Sequence, residues 1–267
     1  MQLSAHRGET TRPRLAKAER REQILLELRL RPHVGIAELA ARFGVSSETI
    51  RRDFEELSQH GLLCRSHGGA SAAPQGRYPD FDERNQNRLE ERERIGRRAA
   101  ELVQPGDVVM IDSGSTTLQA ARFIAHRDVS CTVITNSLPV TMALGQSAAV
   151  RVIVAPGDYD PAEAAVTGTE TVDFLKRHRA GRCMIGATAL AVDGVFETVR
   201  GFAAVKRAML SVSRESHLLV DSAKFDRHGM ARVAAPEEIG SVVTDRAPAG
   251  ALSAILQRRG VAITRAT

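Results

Sequence analysis

The sequence predicts an α/β chain in two parts, a small helical head followed by a larger domain built on a largely parallel sheet. Three observations predict it. Residues 17–63 carry apolar side chains at helical spacing. The stretch from Ala72 to about Asp82 is rich in Pro, Gly, Gln and Ala and has little apolar periodicity. Beyond it, short apolar runs alternate with helix-length segments, the rhythm of strand–helix–strand units. A length of 267 residues gives room for two ordinary domains. They are placed at residues 17–71 and 88–267, with a linker at 72–87.

Taken in order, Ile24, Leu25 and Leu28 form the first helical stripe, and Ile36, Leu39, Ala40 and Phe43 the second. Pro32 and Gly35 break the pattern between them. A third stripe, Ile50, Phe54 and Leu57, follows Gly44-Val45-Ser46, where Gly44 permits a tight turn and Ser46 suits a helix N-cap. Leu62 to Ala70 then reads as a small hairpin closed by Gly68-Gly69. After the linker, Arg88 to Val103 is a charged amphipathic helix carrying Ile95, Ala99 and Leu102. Strands are expected at Val108–Ile111, Val129–Thr135, Val150–Ala155, Cys183–Ile185, Leu218–Val220 and Ser241–Thr244.

Composition excludes several classes. Apolar residues make up 43% and charged residues 26%, enough for a packed core. No apolar run approaches the roughly 20 residues of a membrane span, and the polar start Met1–Thr11 is no secretory signal, so a cytoplasmic protein without membrane contact is expected. Cys64, Cys131 and Cys183 stand far apart without CxxC or a Cys/His set at metal-site spacing, which implies reduced thiols, no metal site and no cofactor. Net charge is +5, and the cation excess is densest early, with 12 Lys and Arg against 9 Asp and Glu in residues 1–70. Only four of the 37 cationic residues are Lys (Lys17, Lys176, Lys206 and Lys224), so each Lys invites a specific reason.

Two helices joined by a short glycine-containing turn make a helix-turn-helix, whose second helix can enter the DNA major groove. With Ile50, Phe54 and Leu57 facing inward, Ser47 and Arg51 share an outward face, flanked by Thr49 and Arg52. Hydroxyl and guanidinium groups there suit phosphate clamping and guanine readout. Asp53, Glu55 and Glu56 would repel DNA and are expected on the far side. Three amphipathic helices also make an ordinary bundle; the turn, the Ser/Thr/Arg cluster and the basic hairpin favour DNA. The run Ile36-Ala37-Glu38-Leu39-Ala40, Val45-Ser46, Thr49-Ile50-Arg51-Arg52-Asp53, Gly61-Leu62-Leu63 and His67-Gly68-Gly69-Ala70 resembles the winged helix-turn-helix of DeoR-type bacterial transcription regulators. The resemblance implies double-stranded DNA as partner, contacted by Ser46, Ser47, Thr49, Arg51, Arg52, Arg65 and His67.

In the second part, the strand Asp107–Ile111 runs into Asp112-Ser113-Gly114-Ser115-Thr116-Thr117 and then a helix. A strand-to-helix turn of Gly and hydroxyl residues offers free N–H groups and a positive dipole end, which suits phosphate. It lacks the pattern of a nucleotide-binding loop. Asp112 could accept hydrogen bonds from sugar hydroxyls. Thr135-Asn136-Ser137, Gly157-Asp158 and Asp221-Ser222-Ala223-Lys224 end other strands on the same edge, where open α/β sheets bind ligands. Lys206 and Lys224 fall where an anion would need a cation, although either alone reads equally well as a solvated surface residue. These pieces, with Gly186-Ala187, Val205-Lys206-Arg207-Ala208-Met209 and Thr244-Asp245, resemble the DeoR effector domain, a fold related to ribose phosphate isomerases. The resemblance implies a phosphorylated sugar or polyol held by Asp112, Ser113, Gly114, Thr116, Thr117, Asn136, Gly157, Lys206, Asp221 and Lys224. Two departures stand out: Asp158 where the second Gly of a pair is expected, and Phe202 where an acid is expected four residues before Lys206.

The expected function is a repressor of a carbohydrate or polyol operon, released from DNA by a sugar phosphate, with activation as the opposite sign. It would act as a homo-oligomer, dimer or tetramer, because paired reading heads fit a repeated operator. The alternative is a sugar-phosphate isomerase with an added helical domain. Against it, Ile185-Gly186-Ala187-Thr188 stands where the isomerase Asp-Gly-Ala-Asp signature is expected.

Overall fold

The computed structural model describes residues 16–31, 33–59, 62–66, 68–72, 81, 84 and 87–267. The chain divides into two compact units, Met1–Tyr78 and Pro79–Thr267. The first contains α1 (Lys17–Leu30), β1 (His33–Gly35), α2 (Ile36–Phe43), α3 (Ser47–Gln59), β2 (Leu63–Ser66) and β3 (Gly69–Ala72). α2 ends on Gly44 in the left-handed region (φ 63°), and the Ser46 hydroxyl accepts the Thr49 N–H at 3.2 Å, so the turn and cap form as the sequence implies. Ile24, Leu28, Leu39, Ile50, Phe54 and Leu57 close one core with Val34, Leu63 and Ala70.

The hairpin β2–β3 is joined by a strand that periodicity does not reveal. β1 is only three residues long and pairs antiparallel with β3, in the order β1-β3-β2. Its close approach explains the second glycine of the hairpin: a Cβ on Gly69 would lie 2.3 Å from the Val34 carbonyl oxygen. His67, and residues 73–80, 82, 83, 85 and 86 of the expected linker, lie outside the described residues.

In the second unit the elements are α4 (Leu89–Ala100), β4 (Val108–Ile111), α5 (Ser115–Arg127), β5 (Cys131–Thr135), α6 (Leu138–Leu144) and β6 (Val150–Val154). They continue with β7 (Asp158–Asp160), β8 (Ala165–Thr167), α7 (Thr169–Lys176), β9 (Ala180–Ile185), β10 (Ala189–Ala191), β11 (Gly194–Glu197) and α8 (Arg200–Val212). The last are β12 (Ser213–Leu219), β13 (Ala231–Ala234), β14 (Ser241–Thr244), α9 (Gly250–Arg258) and β15 (Ala262–Arg265). Seven strands form a parallel sheet in the order β15-β14-β12-β9-β4-β5-β6. Alternate residues of each strand enter opposite cores. Met110, Cys183, Ile185, Leu218 and Val242 pack with α8 and α9, while Val109, Ile111, Met184, Leu219 and Val243 pack with α4, α5 and α6. A strand buried on both faces reads as a continuous apolar run, which is why these strands were legible.

The chain steps from β4 outward to β5 and β6, then returns to the other side of β4 with β9. The carboxyl ends of β4 and β9 therefore flank the topological switch point, where such sheets leave a crevice for ligand. Two corrections concern the expected linker and helix. Phe81 is buried in the α4/α5 core, its N–H donating to the Ala162 carbonyl at 2.8 Å, and Arg84 is buried in a forked pair with Glu163 at 2.8 and 2.5 Å. Both positions thus pack into the second unit. α4 starts at Leu89, because Arg88 sits in the left-handed region (φ 51°) as its N-cap.

Candidate functional site

In the first unit, α3 buries Ile50, Phe54 and Leu57 and turns the opposite face outward. Ser46, Ser47, Arg51 and Arg52 are exposed and Thr49 is half-buried; the Arg51 and Arg52 side chains are 59% and 79% accessible. Among the described residues, their one acidic ion-pair neighbour is exposed Glu48, at 3.6 and 3.5 Å. Exposed pairs of this kind contribute about 0–1 kcal/mol, so both guanidinium groups remain available to phosphate or a base edge. Arg65, on β2, is exposed as well.

The acids of α3 are handled differently from one another. Asp53 is buried, with Arg20 at 2.5 Å and Arg21 at 3.0 Å. Glu56 is forked by Arg21 and joined by Lys17 at 3.1 Å, and the Arg21 hydrogen bonds hold its carboxyl down to about 2. Those two face away from the reading surface, as expected. Glu55 does not: it is exposed, 3.8 Å from Arg65, because α3 places it on the side facing the hairpin. The α1 arginines that mask the acids were missed in the sequence, where Arg20-Arg21 looks like any charged helix surface.

In the second unit, the turn after β4 is tight. Asp112, Ser113, Ser115, Thr116 and Thr117 are buried, and Gly114 is its half-exposed point. The Thr117 hydroxyl donates to the Asp112 and Gly114 carbonyl oxygens at 3.1 and 3.0 Å, so it shapes the turn. α5 starts without a side-chain cap, leaving first-turn N–H groups for an external acceptor. Asp112 accepts from the Gly186 N–H at 3.0 Å and from Lys206 at 2.8 Å, which ties the ends of β4 and β9 together across the switch point.

Lys206 needs correction. Its ammonium is buried (3% exposed) and held by Asp112 and by Glu197 at 3.0 Å, so it is a counter-ion inside the fold and offers no accessible charge to an anion. The acid missing at Phe202 is supplied from another element: the family resemblance implies it four residues upstream, but the carboxylate arrives from β11. Burial pushes Asp112 above the ordinary carboxyl range against the pull of Lys206. For Glu197, burial is outweighed by Lys206, the Thr188 hydroxyl and the Thr198 N–H, and the carboxyl lies below its ordinary value. Burial opposes the Lys206 charge, but the two carboxylates raise it above the usual lysine value.

Asn136 follows β5, beside the end of β4 in register. It is fully buried, its amide donates to the Val166 carbonyl at 2.9 Å, and its Oδ1 has no partner among the described residues. Gly157 (φ 150°) is exposed, and a Cβ there would lie 2.0 Å from the Thr171 hydroxyl oxygen, so the close approach of Thr171 at the start of α7 requires a glycine at this position. Asp221 is buried and accepts from the Ala223 N–H at 3.1 Å, capping a short turn that ends in Lys224. Burial, modified by Asp221 and then by Arg92, Arg84 and Arg227, lowers the Lys224 pKa.

An outward arginine-bearing helix in a winged helix-turn-helix and a cluster of buried polar residues at an α/β switch point together point to a DNA-binding regulator with a ligand-sensing domain. The comparisons agree: the DeoR-like helix-turn-helix domain matches residues 20–75 and the DeoR C-terminal sensor domain matches residues 87–246, and the chain belongs to the DeoR family of transcription regulators. It is 30% identical to the glycerol-3-phosphate regulon repressor of Escherichia coli strain K12, over 88% of this chain and 93% of that one. It is 29% identical to the lactose phosphotransferase system repressor of Lactococcus lactis (86% and 91% covered) and 30% identical to the L-fucose operon activator of Haemophilus influenzae (85% and 91%). These relatives are regulators, and the isomerase alternative falls with them. Among solved structures, ribose 5-phosphate isomerase A of Methanocaldococcus jannaschii is similar at 16% identity over 51% of this chain and 54% of that one, TM-score 0.38. Among the described residues, no helix is long and apolar enough to cross a membrane.

Proposed function

We propose that this chain represses a carbohydrate or polyol operon and leaves its operator when the second unit binds a phosphorylated sugar or polyol. The observation that carries the effector reading is the uncapped start of α5 at the switch point, with the buried Asn136 Oδ1, unsatisfied among the described residues, at the end of the neighbouring strand β5. Free N–H groups at a helix start take phosphate oxygens, and an orphaned carbonyl oxygen takes a ligand hydroxyl. Ser113, Gly114 and Thr116 at the turn, with Asp112 and Asn136 beside it, are the contacts this reading uses. Ser46, Ser47, Thr49, Arg51, Arg52 and Arg65 contact DNA, and His67 is a further contact that the family resemblance suggests. Repeated operator half-sites require at least a dimer, and the protein acts in the cytoplasm with its DNA. Repression is favoured over activation by the relatives named as repressors, among them those of glycerol-3-phosphate and lactose phosphotransferase genes.

Release demands that effector bind the DNA-incompetent arrangement more tightly than the competent one. The test is a thermal-shift panel on the full chain, pairing phosphorylated sugars and polyols with their free forms. A phosphorylated member should raise the melting temperature where its free form does not. Equal shifts from the free form would remove the phosphate from the reading.

A further inference from the structure

Four cations converge on the carboxyl edge beside β12 and β14: Arg84, Arg88, Arg92 and Lys224. Three of them are tied into the interior. Arg84 is buried against Glu163. Arg92 is buried 3.7 Å from Asp221, with an N–H donated to the Arg84 carbonyl. Lys224 lies near the same Asp221 carboxylate.

Arg88 differs in three ways. Its side chain is 36% exposed, at the rim. Its backbone is held in the left-handed region that residues with a Cβ avoid. Its removal orphans no buried carboxylate. Arg88 Nε lies 3.0 Å from Asp221, and its terminal nitrogen lies 3.2 Å from Asp245 and 3.2 Å from the half-buried Glu91 one turn along α4. Without it, Asp221 keeps Arg92 and the Ala223 N–H, while Asp245 keeps the Ser222 N–H at 2.6 Å and the Ser222 hydroxyl at 2.9 Å. Arg88 is thus the detachable member of an otherwise closed ion network, at the first turn of the helix that follows the expected linker.

We propose that Arg88 is a binding residue for the anionic group of the effector, and that its transfer from Asp221 and Asp245 to that anion is the event α4 registers. A phosphate offers the guanidinium fork two parallel charge-assisted bonds in place of single contacts to Asp221 and Asp245, while Glu91, on α4 itself, can stay with Arg88. Departure from the two carboxylates also frees the backbone at Arg88 to join the helix. The inference rests on the phosphorylated effector of the previous subsection and adds the residue that reads it.

The experiment uses the full chain, a panel of glycerol 3-phosphate, ribose 5-phosphate, glucose 6-phosphate and inorganic phosphate with the free polyol and sugars, and two variants. Arg88→Gln should weaken binding of the responding phosphorylated compound at least ten-fold by calorimetry, with an unchanged circular dichroism spectrum. Asp245→Asn keeps an acceptor for the Ser222 N–H and a donor for its hydroxyl but removes a carboxylate that competes for Arg88, so binding should tighten several-fold. A merely structural role would make both variants weaker. Hydrogen exchange at the first turn of α4 should change on ligand addition in the wild type and not in Arg88→Gln. Wild-type affinity in Arg88→Gln, or weakening in Asp245→Asn, overturns the inference alone. A wild-type chain that responds to no phosphorylated compound overturns the effector reading and this inference together.

Discussion

Replacing Lys206 with Met should destabilise the second unit, and by more at alkaline than at acid pH. One buried ammonium serves two buried carboxylates, Asp112 at 2.8 Å and Glu197 at 3.0 Å. Removing one partner of a buried ion pair costs roughly 3–5 kcal/mol, because the remaining charge is left without compensation. Here two charges are left, and proton uptake is their way of relief. Burial already raises the Asp112 pKa in the wild type. A carboxyl raised in the folded state contributes stability that is complete below its unfolded value, near 4, and lost as pH climbs through the folded value. At pH 8 the full cost should appear, lowering the melting temperature by roughly 6–20 °C at about 2–4 °C per kcal/mol for a unit of this size. At pH 5 the loss should be clearly smaller. Adding Glu197→Gln removes one surplus charge and should restore part of the loss. Melting of the full chain followed by far-ultraviolet circular dichroism at both pH values is the assay. A drop below about 3 °C at pH 8, or equal drops at pH 5 and pH 8, would refute the triad as described.

Arg51→Ala should weaken operator binding by about 1–3 kcal/mol and flatten its dependence on salt, with no change in melting temperature, because Arg51 is exposed and only loosely paired. Fluorescence anisotropy on operator DNA at several salt concentrations measures both effects. Asp53→Ala should act in the opposite way. It removes the buried carboxylate that joins Arg20 and Arg21 of α1 to α3, so the first unit should lose about 3–5 kcal/mol in urea unfolding while the second unit unfolds as before.

The fold was legible wherever one residue pattern met one environment. Val108–Ile111 and Ser241–Thr244 read as strands because both faces of the sheet are covered, and Gly44-Val45-Ser46 read as turn and cap because their chemistry is local. What sequence could not show depended on partners distant along the chain. β1 exists through pairing with β3, and Phe81 is recognisable as core only once β4, α4 and α5 surround it. The same holds at the sensor site: Asp112 and Lys206 were found as residue types, but their mutual neutralisation and the part played by Glu197 follow from β11 folding over α8. A lysine rare in an arginine-rich chain did signal a reason. The reason is burial: a compact ammonium there meets two buried carboxylates.

Charge on the reading helix makes the same point from the other side. Taken alone, α3 is acidic, with Glu48, Asp53, Glu55 and Glu56 against Arg51 and Arg52, a poor start for a surface that meets phosphate. Tertiary structure reverses the balance by distributing counter-ions unevenly. Lys17, Arg20 and Arg21 of α1 neutralise Asp53 and Glu56 on the inward side, where their charges also fasten α1 to α3. Glu55 is answered by Arg65 of the hairpin. Of the four acids only Glu48 shares the surface of Arg51 and Arg52, and it is solvated enough for a DNA phosphate to displace it. The field that DNA meets is therefore a property of the packed unit. A helix judged by its own formal charge would be rejected as a DNA reader, whereas the same helix with α1 seated against it presents two unmasked guanidinium groups at the end where its N-terminal dipole also favours phosphate.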